Sequence, residues 1–253
     1  MHRKDNMKVR LIITIFLVIW AKFTQAQTGN NHFAHGEKLN FIIYFGPITG
    51  GIVESETVLT EFNGKTVFHS KMLARSTGLA DKLYKVRDEY QSYFDPYSIL
   101  PYKSIRDIHE GRYTKYNVVE YHHNDLKVVN IDNDTFEVPA DVRDMVAVFH
   151  YIRNADYDNM RHGQIIKINT FFDNEIFPFD MRYRGTEQIK TKGGTFNCIK
   201  LVPFVEPGRI FKSEDDMTIW LSNDRNRVPI RVKFDLTVGS IKCDLIEYSG
   251  LKY

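Results

Sequence analysis

Residues 228–238 read Val-Pro-Ile-Arg-Val-Lys-Phe-Asp-Leu-Thr-Val. Val228, Ile230, Val232, Phe234, Leu236 and Val238 fall on one face of an extended chain, and Arg231, Lys233, Asp235 and Thr237 on the other. Successive side chains of a strand point to opposite faces, so this alternation describes a sheet that is apolar on one side and wet on the other. Pro229 lacks an N–H for the ladder, which places it at an edge or beside a bulge.

Working outward, the same pattern recurs along most of the chain. Leu39, Phe41, Ile43 and Phe45 alternate. Two extended runs, 52–62 and 66–74, flank Asn63-Gly64, a pair suited to a tight hairpin because both turn positions need positive φ. Further strand patterns lie at 86–94, 112–122, 126–131, 164–172, 176–184, 186–192, 195–205, 216–222 and 240–249, with turns at Asn174-Glu175, Gly193-Gly194 and 223–226; Pro96 and Pro101 mark a loop. A helix is expected over about 140–154, where Val142, Met145, Val146, Phe149 and Ile152 share a face while Arg143, Asp144, His150 and Arg153 lie mostly elsewhere. A shorter one is expected over about 78–85, with Leu79 and Leu83 four apart. The fold class is therefore mainly β: a long antiparallel sheet of about eleven strands, curled into an incomplete barrel, with both helices on its concave face.

Residues 1–26 have the form of a secretory signal. Arg3, Lys4, Lys8 and Arg10 precede the apolar run Leu11–Trp20, and Thr24-Gln25-Ala26 supplies small residues before a cut at Gln27. The competing reading is an uncut membrane anchor; with cleavage no integral membrane span remains. Residues 27–36 are polar and expected to be loose, and 37–253 form a single β-rich domain. The chain is exported on this reading, to the periplasm first, with secretion or outer-membrane association as alternatives. The formal charge is +2, but the leader takes five basic residues and one acidic one, leaving 29 against 31 and a net of −2. A nucleic-acid partner loses its electrostatic support. In an oxidising compartment Cys198 and Cys243 could form a disulfide; two buried free thiols are the alternative.

Motifs for chemistry are scarce. His122-His123 point to opposite faces of a strand and cannot readily share an ion, and Glu214-Asp215-Asp216 lacks the spacing of a calcium loop, so no metal is expected. No nucleophile elbow, phosphate loop or dinucleotide fingerprint is present, so no cofactor and no catalytic residue is expected. What does need an account is apolar sheet surface, because little helix is available to cover it. Phe41, Ile43, Met145, Phe149, Ile152, Ile230, Val232 and Phe234 are the expected lining of a site for a lipid or acyl chain, with a filled core as the bland alternative. Trp220, Asp224, Arg227 and Arg231 are the candidates for a surface that contacts an envelope protein; the structural reading has Asp224 ordering its turn, Arg231 on the wet face and Trp220 packed under a loop. A membrane β-barrel is disfavoured by Glu247 in register with Leu245 and by Glu54, Glu56 and Glu61.

Several segments, in order, resemble one family. They are Ser76-Thr77-Gly78-Leu79, Val86-Arg87-Asp88-Glu89-Tyr90 with Ser92-Tyr93-Phe94-Asp95, Phe149-His150-Tyr151-Ile152-Arg153, Trp220-Leu221-Ser222-Asn223-Asp224, Arg227-Val228-Pro229-Ile230-Arg231 and Val238-Gly239-Ser240. Over about residues 36–250 the chain is similar to bacterial exported proteins grouped as domain of unknown function 3108. The resemblance implies no activity and no catalytic residues. A more distant, architectural likeness is to periplasmic lipoprotein carriers of the LolA and LolB type, whose curled incomplete barrel holds lipid.

Overall fold

The computed structural model describes residues 32–205 and 213–253. The signal expected at 1–26 lies outside them. One antiparallel sheet dominates. Its first arm comprises β1 (Glu37–Phe45), β2 (Ile48–Phe62), β3 (Lys65–Ser76), β4 (Arg87–Phe94), β5 (Pro101–Glu110), β6 (Tyr113–His122), β7 (Lys127–Asn130) and β8 (Thr135–Glu137). The second comprises β9 (Ile165–Ile166), β12 (Met181–Thr191), β13 (Gly194–Pro203), β14 (Met217–Ser222), β15 (Pro229–Asp235) and β16 (Ser240–Ser249). β10 (Asn169–Phe172) and β11 (Glu175–Pro178) form a separate hairpin, and α1 (Gly78–Leu83) and α2 (Met145–Arg153) are the helices.

The fourteen strands run in the order β8-β7-β6-β5-β4-β3-β2-β1-β16-β15-β14-β13-β12-β9. The first and last strands of the chain meet in the middle of the sheet, with Phe41 opposite Leu245 and Ile43 opposite Cys243. The free edges, β8 and β9, lie in mid-sequence and are only three and two residues long, which leaves little ladder for another chain to extend. The sheet is curled but not closed. Asn63 and Gly64 adopt φ of 49° and 74°, the positive pair that the hairpin requires. Pro229 sits at a register shift opposite Leu221, beside a bulge as its chemistry demands.

Strand number exceeds the expected eleven in part because the run expected at 164–172 divides into β9 and β10, and β8 is too short to build a pattern. β5 hides for another reason. Pro101 opens the strand rather than breaking it, and its inward Arg106 faces the β10–β11 hairpin, where it pairs with Asp173 (2.8 Å). Residues 176–184 divide between β11 and β12, and the turn before them shifts by one residue to Asp173-Asn174, both with positive φ.

α2 starts later than the expected 140, because Asp144 caps it by accepting from the N–H groups of Val146 (2.8 Å) and Ala147 (2.9 Å). Val142 belongs to the preceding turn, where Arg143 bridges Thr170. The helix is wrapped rather than laid by one stripe on a sheet. Val148 and Ile152 pack towards Met181, Ile199, Leu201, Ile219 and Leu221 of one arm, and Ala147 packs with Phe68 and Phe94 of the other. Its seat on the first arm is a rung of small hydroxyls, with Thr57, Ser70, Ser92 and Ser104 cross-strand partners in turn on β2 to β5. Small side chains let the helix approach, and their hydroxyls satisfy its buried polar groups. Ser92 Oγ donates to Asp144 Oδ2 (2.6 Å), and His150 Nε2 lies 3.0 Å from Ser70 Oγ.

Three expectations need correction. α1 buries none of its residues, and Leu79 and Leu83 face out, so α2 alone fills the concave side as a helix. The segment expected to be loose ends in an anchor, since Phe33 is fully buried, edge-on to Phe68 (5.0 Å) and Phe94 (6.1 Å). Cys198 and Cys243 are free. β14 and β15 lie between their strands, about 14 Å at the usual strand spacing and well beyond the roughly 7 Å limit for a bridge.

Arg153 closes the assembly. Its guanidinium donates to both oxygens of Glu37 (2.6 and 2.7 Å), to the carbonyl of His32 (2.8 Å) and to that of Asn226 (2.9 Å), and both members of the pair are 1% exposed. Removing one partner strands a buried charge. Arg153→Met is expected to cost about 3–5 kcal/mol in urea unfolding, and Glu37→Leu with Arg153→Met clearly less than the single change. Equal losses would show that the pair is not the unit of stability. A second expectation concerns Asp144, whose carboxyl burial pushes up to about 6 against the hydrogen bonds it accepts. The folded chain then holds this proton more tightly than the unfolded chain. The group's contribution is full below about pH 4 and is lost as pH rises through about 6. Asp144→Asn keeps a capping oxygen and should remove a pH-dependent loss of about 3 kcal/mol, seen by comparing denaturation midpoints of the two proteins across that window; parallel curves would refute it.

Candidate functional site: an apolar cleft over the β1–β16 seam

The concave face is filled unevenly. The β10–β11 hairpin covers the β5–β8 side, with Phe171 packed among Val119, Tyr121 and Val128. α2 covers β3, β4 and the β12–β14 side. Beside α2, over β1, β2, β3, β15 and β16, side chains leave a cleft of about 260 Å³. It exceeds the roughly 150 Å³ apolar cavity known to admit a benzene ring.

The strands supply its walls by simple alternation. β1 contributes Leu39, Phe41 and Ile43; β2 Val53 and Ser55; β3 Met72; β15 Pro229, Val232 and Phe234; β16 Ile241 and Cys243; and α2 Phe149, His150 and Arg153. Burial changes in one direction along the cleft. Leu39, Ile230 and Leu245 are fully buried at one end. Ile43, Phe234 and Ile241 are partly exposed at the other, and Phe45 beyond them is exposed. The cleft thus closes at the Glu37–Arg153 pair and opens at the end carrying the β1–β2 and β15–β16 turns.

The charged groups at the closed end are paired with one another, while His150 Nδ1 is buried without a partner among the described residues. Arg153 is neutralised by Glu37. His150 places Nε2 on Ser70, and burial holds its pKa well below the ordinary value, so the ring is neutral. Ser70 itself is completely buried, which keeps this Ser–His contact away from any substrate. Burial pushes the Cys243 thiol up to about 12, so the sulfur is a neutral apolar wall rather than a nucleophile. The depth of the cleft therefore offers apolar surface and no uncompensated charge.

Of the expected lining, Phe41, Ile43, Phe149, Val232 and Phe234 come together here. Ile152 and Ile230 belong to the solid core, and Met145 packs at the far end of α2 beside Arg106. Val53, Ser55 and Met72 follow from the hairpin register (Ser55 opposite Met72), which Asn63-Gly64 sets. Nothing in the local pattern marks His150 and Arg153 as inward-facing, since they look like the polar side of an amphipathic helix.

The four residues proposed for partner contact are taken up internally. Trp220 is buried on the outer face, its indole N–H donating to Glu187 Oε1 (2.6 Å). Arg231, its cross-strand neighbour, forms a two-pronged pair with Asp244 (2.5 Å each) and donates to the Lys190 carbonyl of the overlying β12–β13 hairpin (3.2 Å). Asp224 Oδ1 accepts from Ser222 Oγ (2.9 Å) and the N–H groups of Asn226 (2.8 Å) and Arg227 (3.0 Å). Arg227 donates to the Ala155 carbonyl and lies over the Tyr157 ring. Among the described residues no group of three His, Cys, Asp or Glu side chains could hold a metal. His123 instead contacts the carbonyls of Pro101 and Ala140, and Asp215 is paired with Arg182 and Arg184.

Comparison with solved structures supports the architecture. A β-barrel-like protein of a different domain of unknown function, DUF1849, from Brucella abortus aligns with a TM-score of 0.56 at 8% identity, over 86% of this chain and 98% of that one. A DUF1089 family protein from Pseudomonas aeruginosa aligns with a TM-score of 0.40 at 9% identity, over 70% and 87% of the two chains. The first likeness is one of fold alone. No curated protein matches the sequence. The family described as "Protein of unknown function (DUF3108)" matches residues 40–246, and the chain belongs to it.

Proposed function

We propose that this protein is an exported, non-catalytic binder or carrier of a lipid-like ligand, with an acyl chain lying in the cleft over the β1–β16 seam. The observation that carries this reading is the wall itself. Eleven of its fourteen lining side chains are aliphatic, aromatic, proline or a neutral thiol, and the remaining three are Ser55, His150 and Arg153. Sites for apolar ligands have this composition, with few polar groups. Because Arg153 is already paired and His150 is neutral, a charged head group has no partner at the closed end. Burying one there unpaired would cost several kcal/mol. The chain end of the ligand therefore goes in first, and its polar head stays at the open end.

The test is uptake of cis-parinaric acid, followed by its fluorescence. Wild-type protein should bind it, and Val53→Phe, which adds a ring to the wall, should weaken binding by about tenfold or more, equivalent to about 1.4 kcal/mol. Native mass spectrometry of protein purified from its own host without detergent should also show an added lipid mass. Absence of any uptake by the wild type, or equal uptake by Val53→Phe, would remove the reading. Export is checked separately: intact mass of the protein recovered from its host should begin at Gln27, and a product retaining residues 1–26 would count against it.

A further inference from the structure

The open end of the cleft carries a band of apolar side chains that the fold does not cover. Phe45 and Ile48 flank the β1–β2 turn, and Val238 tops the β15–β16 turn. These two turns touch: Gly46 N–H donates to the Ser240 carbonyl (3.2 Å), and the Phe45 ring lies against Gly239. α1 joins the same rim, since Thr77 N–H donates to the Gly50 carbonyl (3.0 Å) and Ser76 is opposite Gly51. Its Leu83 is 78% exposed, and Val238 is 77% exposed. Scattered apolar residues on a surface mean little, but exposed apolar side chains grouped at the mouth of an apolar cleft mark a contact site.

Charge identifies what it contacts. Lys82 and Lys85 are exposed beside Leu83, and Arg112 is exposed on the adjoining turn, where Gly111 N–H donates to the Lys85 carbonyl (2.8 Å). Of the acids near the rim, Asp81 is paired with Arg87, Glu54 with Arg75 and Asp235 with Lys233, and Glu110, half-buried beside Gly111, is held above the usual carboxylate range by burial and by the neighbouring Asp88. Apolar side chains bordered by cations suit a surface that is greasy inside and negative outside. Resting on the carrier reading above, we infer that this rim docks the protein on an anionic lipid bilayer, so that the acyl chain passes between membrane and cleft through the end formed by the two turns and α1. The Ile43, Phe234 and Ile241 side chains just inside the mouth make the path continuous with the cleft. Neither apolar contact nor cations alone holds a protein stably on a membrane, and here the two coincide.

Vesicle flotation tests this with the full mature chain. Vesicles of phosphatidylethanolamine containing about a quarter phosphatidylglycerol should carry the wild type, and pure phosphatidylcholine should not. Leu79→Ser with Leu83→Ser, and separately Lys82→Glu with Lys85→Glu, should each reduce binding by about tenfold or more. Both variants should still take up cis-parinaric acid from solution, because none of these residues lines the cleft. Val53→Phe should do the reverse, losing uptake while still floating. A wild type that takes up the probe but floats with neither vesicle overturns the docking inference and leaves the carrier reading standing. Flotation without uptake removes the cargo and keeps the docking. Flotation by the two rim variants equal to that of the wild type overturns the docking. So does a concentration-dependent dimer that the Leu79→Ser, Leu83→Ser pair abolishes without any vesicle binding, which would assign the rim to a second copy of the chain.

Discussion

The bidentate contact between Glu37 and Arg153 joins three pieces that are far apart in sequence. Glu37 begins the first strand, Arg153 ends α2, and the Asn226 carbonyl that Arg153 also holds lies in the turn before β15. Together they form the floor of the cleft. An apolar pair of similar volume could fill the same space without the cost of removing two charges from water. The guanidinium fork adds direction, because it meets a carboxylate squarely in few orientations and so sets how far α2 can slide over the seam. With Arg153 and Glu37 neutralising one another, the floor carries no free charge, and the character of the cleft follows from that.

The topology explains why a cleft exists at all. In an up-and-down meander the last strand normally remains an edge. Here it returns to pair with the first, which moves the free edges to the middle of the sequence. The connection between those edges, residues 138–164, must then cross the concave side, and it carries α2 with it. The β10–β11 hairpin follows immediately and covers the far flank. The hairpin lies far from the β1–β16 seam and α2 reaches only its Glu37 end, so the rest of the seam stays uncovered.

Much of this was legible before any coordinates. The class, the antiparallel pairing and the failure to close follow from alternation, turn residues and the shortage of helix. The hairpin at Asn63-Gly64 and the bulge at Pro229 are local chemistry, and local chemistry is written in neighbouring residues. Ile43, Phe149, Val232 and Phe234 were visible as apolar members of regular patterns. β5 was not, because its inner face is polar where Arg106 meets Asp173, a partner from a hairpin more than sixty residues away. The exposure of α1 was equally hidden: Leu79 and Leu83 have helical spacing, but spacing does not say whether anything lies across from them.

Alternation along the chain was enough to establish an apolar inner face, a curled sheet and the approximate position of the main helix, since each depends on residues a few places apart. Which apolar residues became core and which became cleft depended on distant pairings. Ile230 and Phe234 are equivalent in the strand pattern, yet one is sealed and the other borders open space, because β1 pairs with β16 and α2 ends over the sealed half. The inward turn of His150 and Arg153 required partners on β3 and β1, and the separation of Cys198 from Cys243 required two intervening strands. Burial is a property of what lies opposite a side chain, and in this fold what lies opposite comes from remote parts of the sequence.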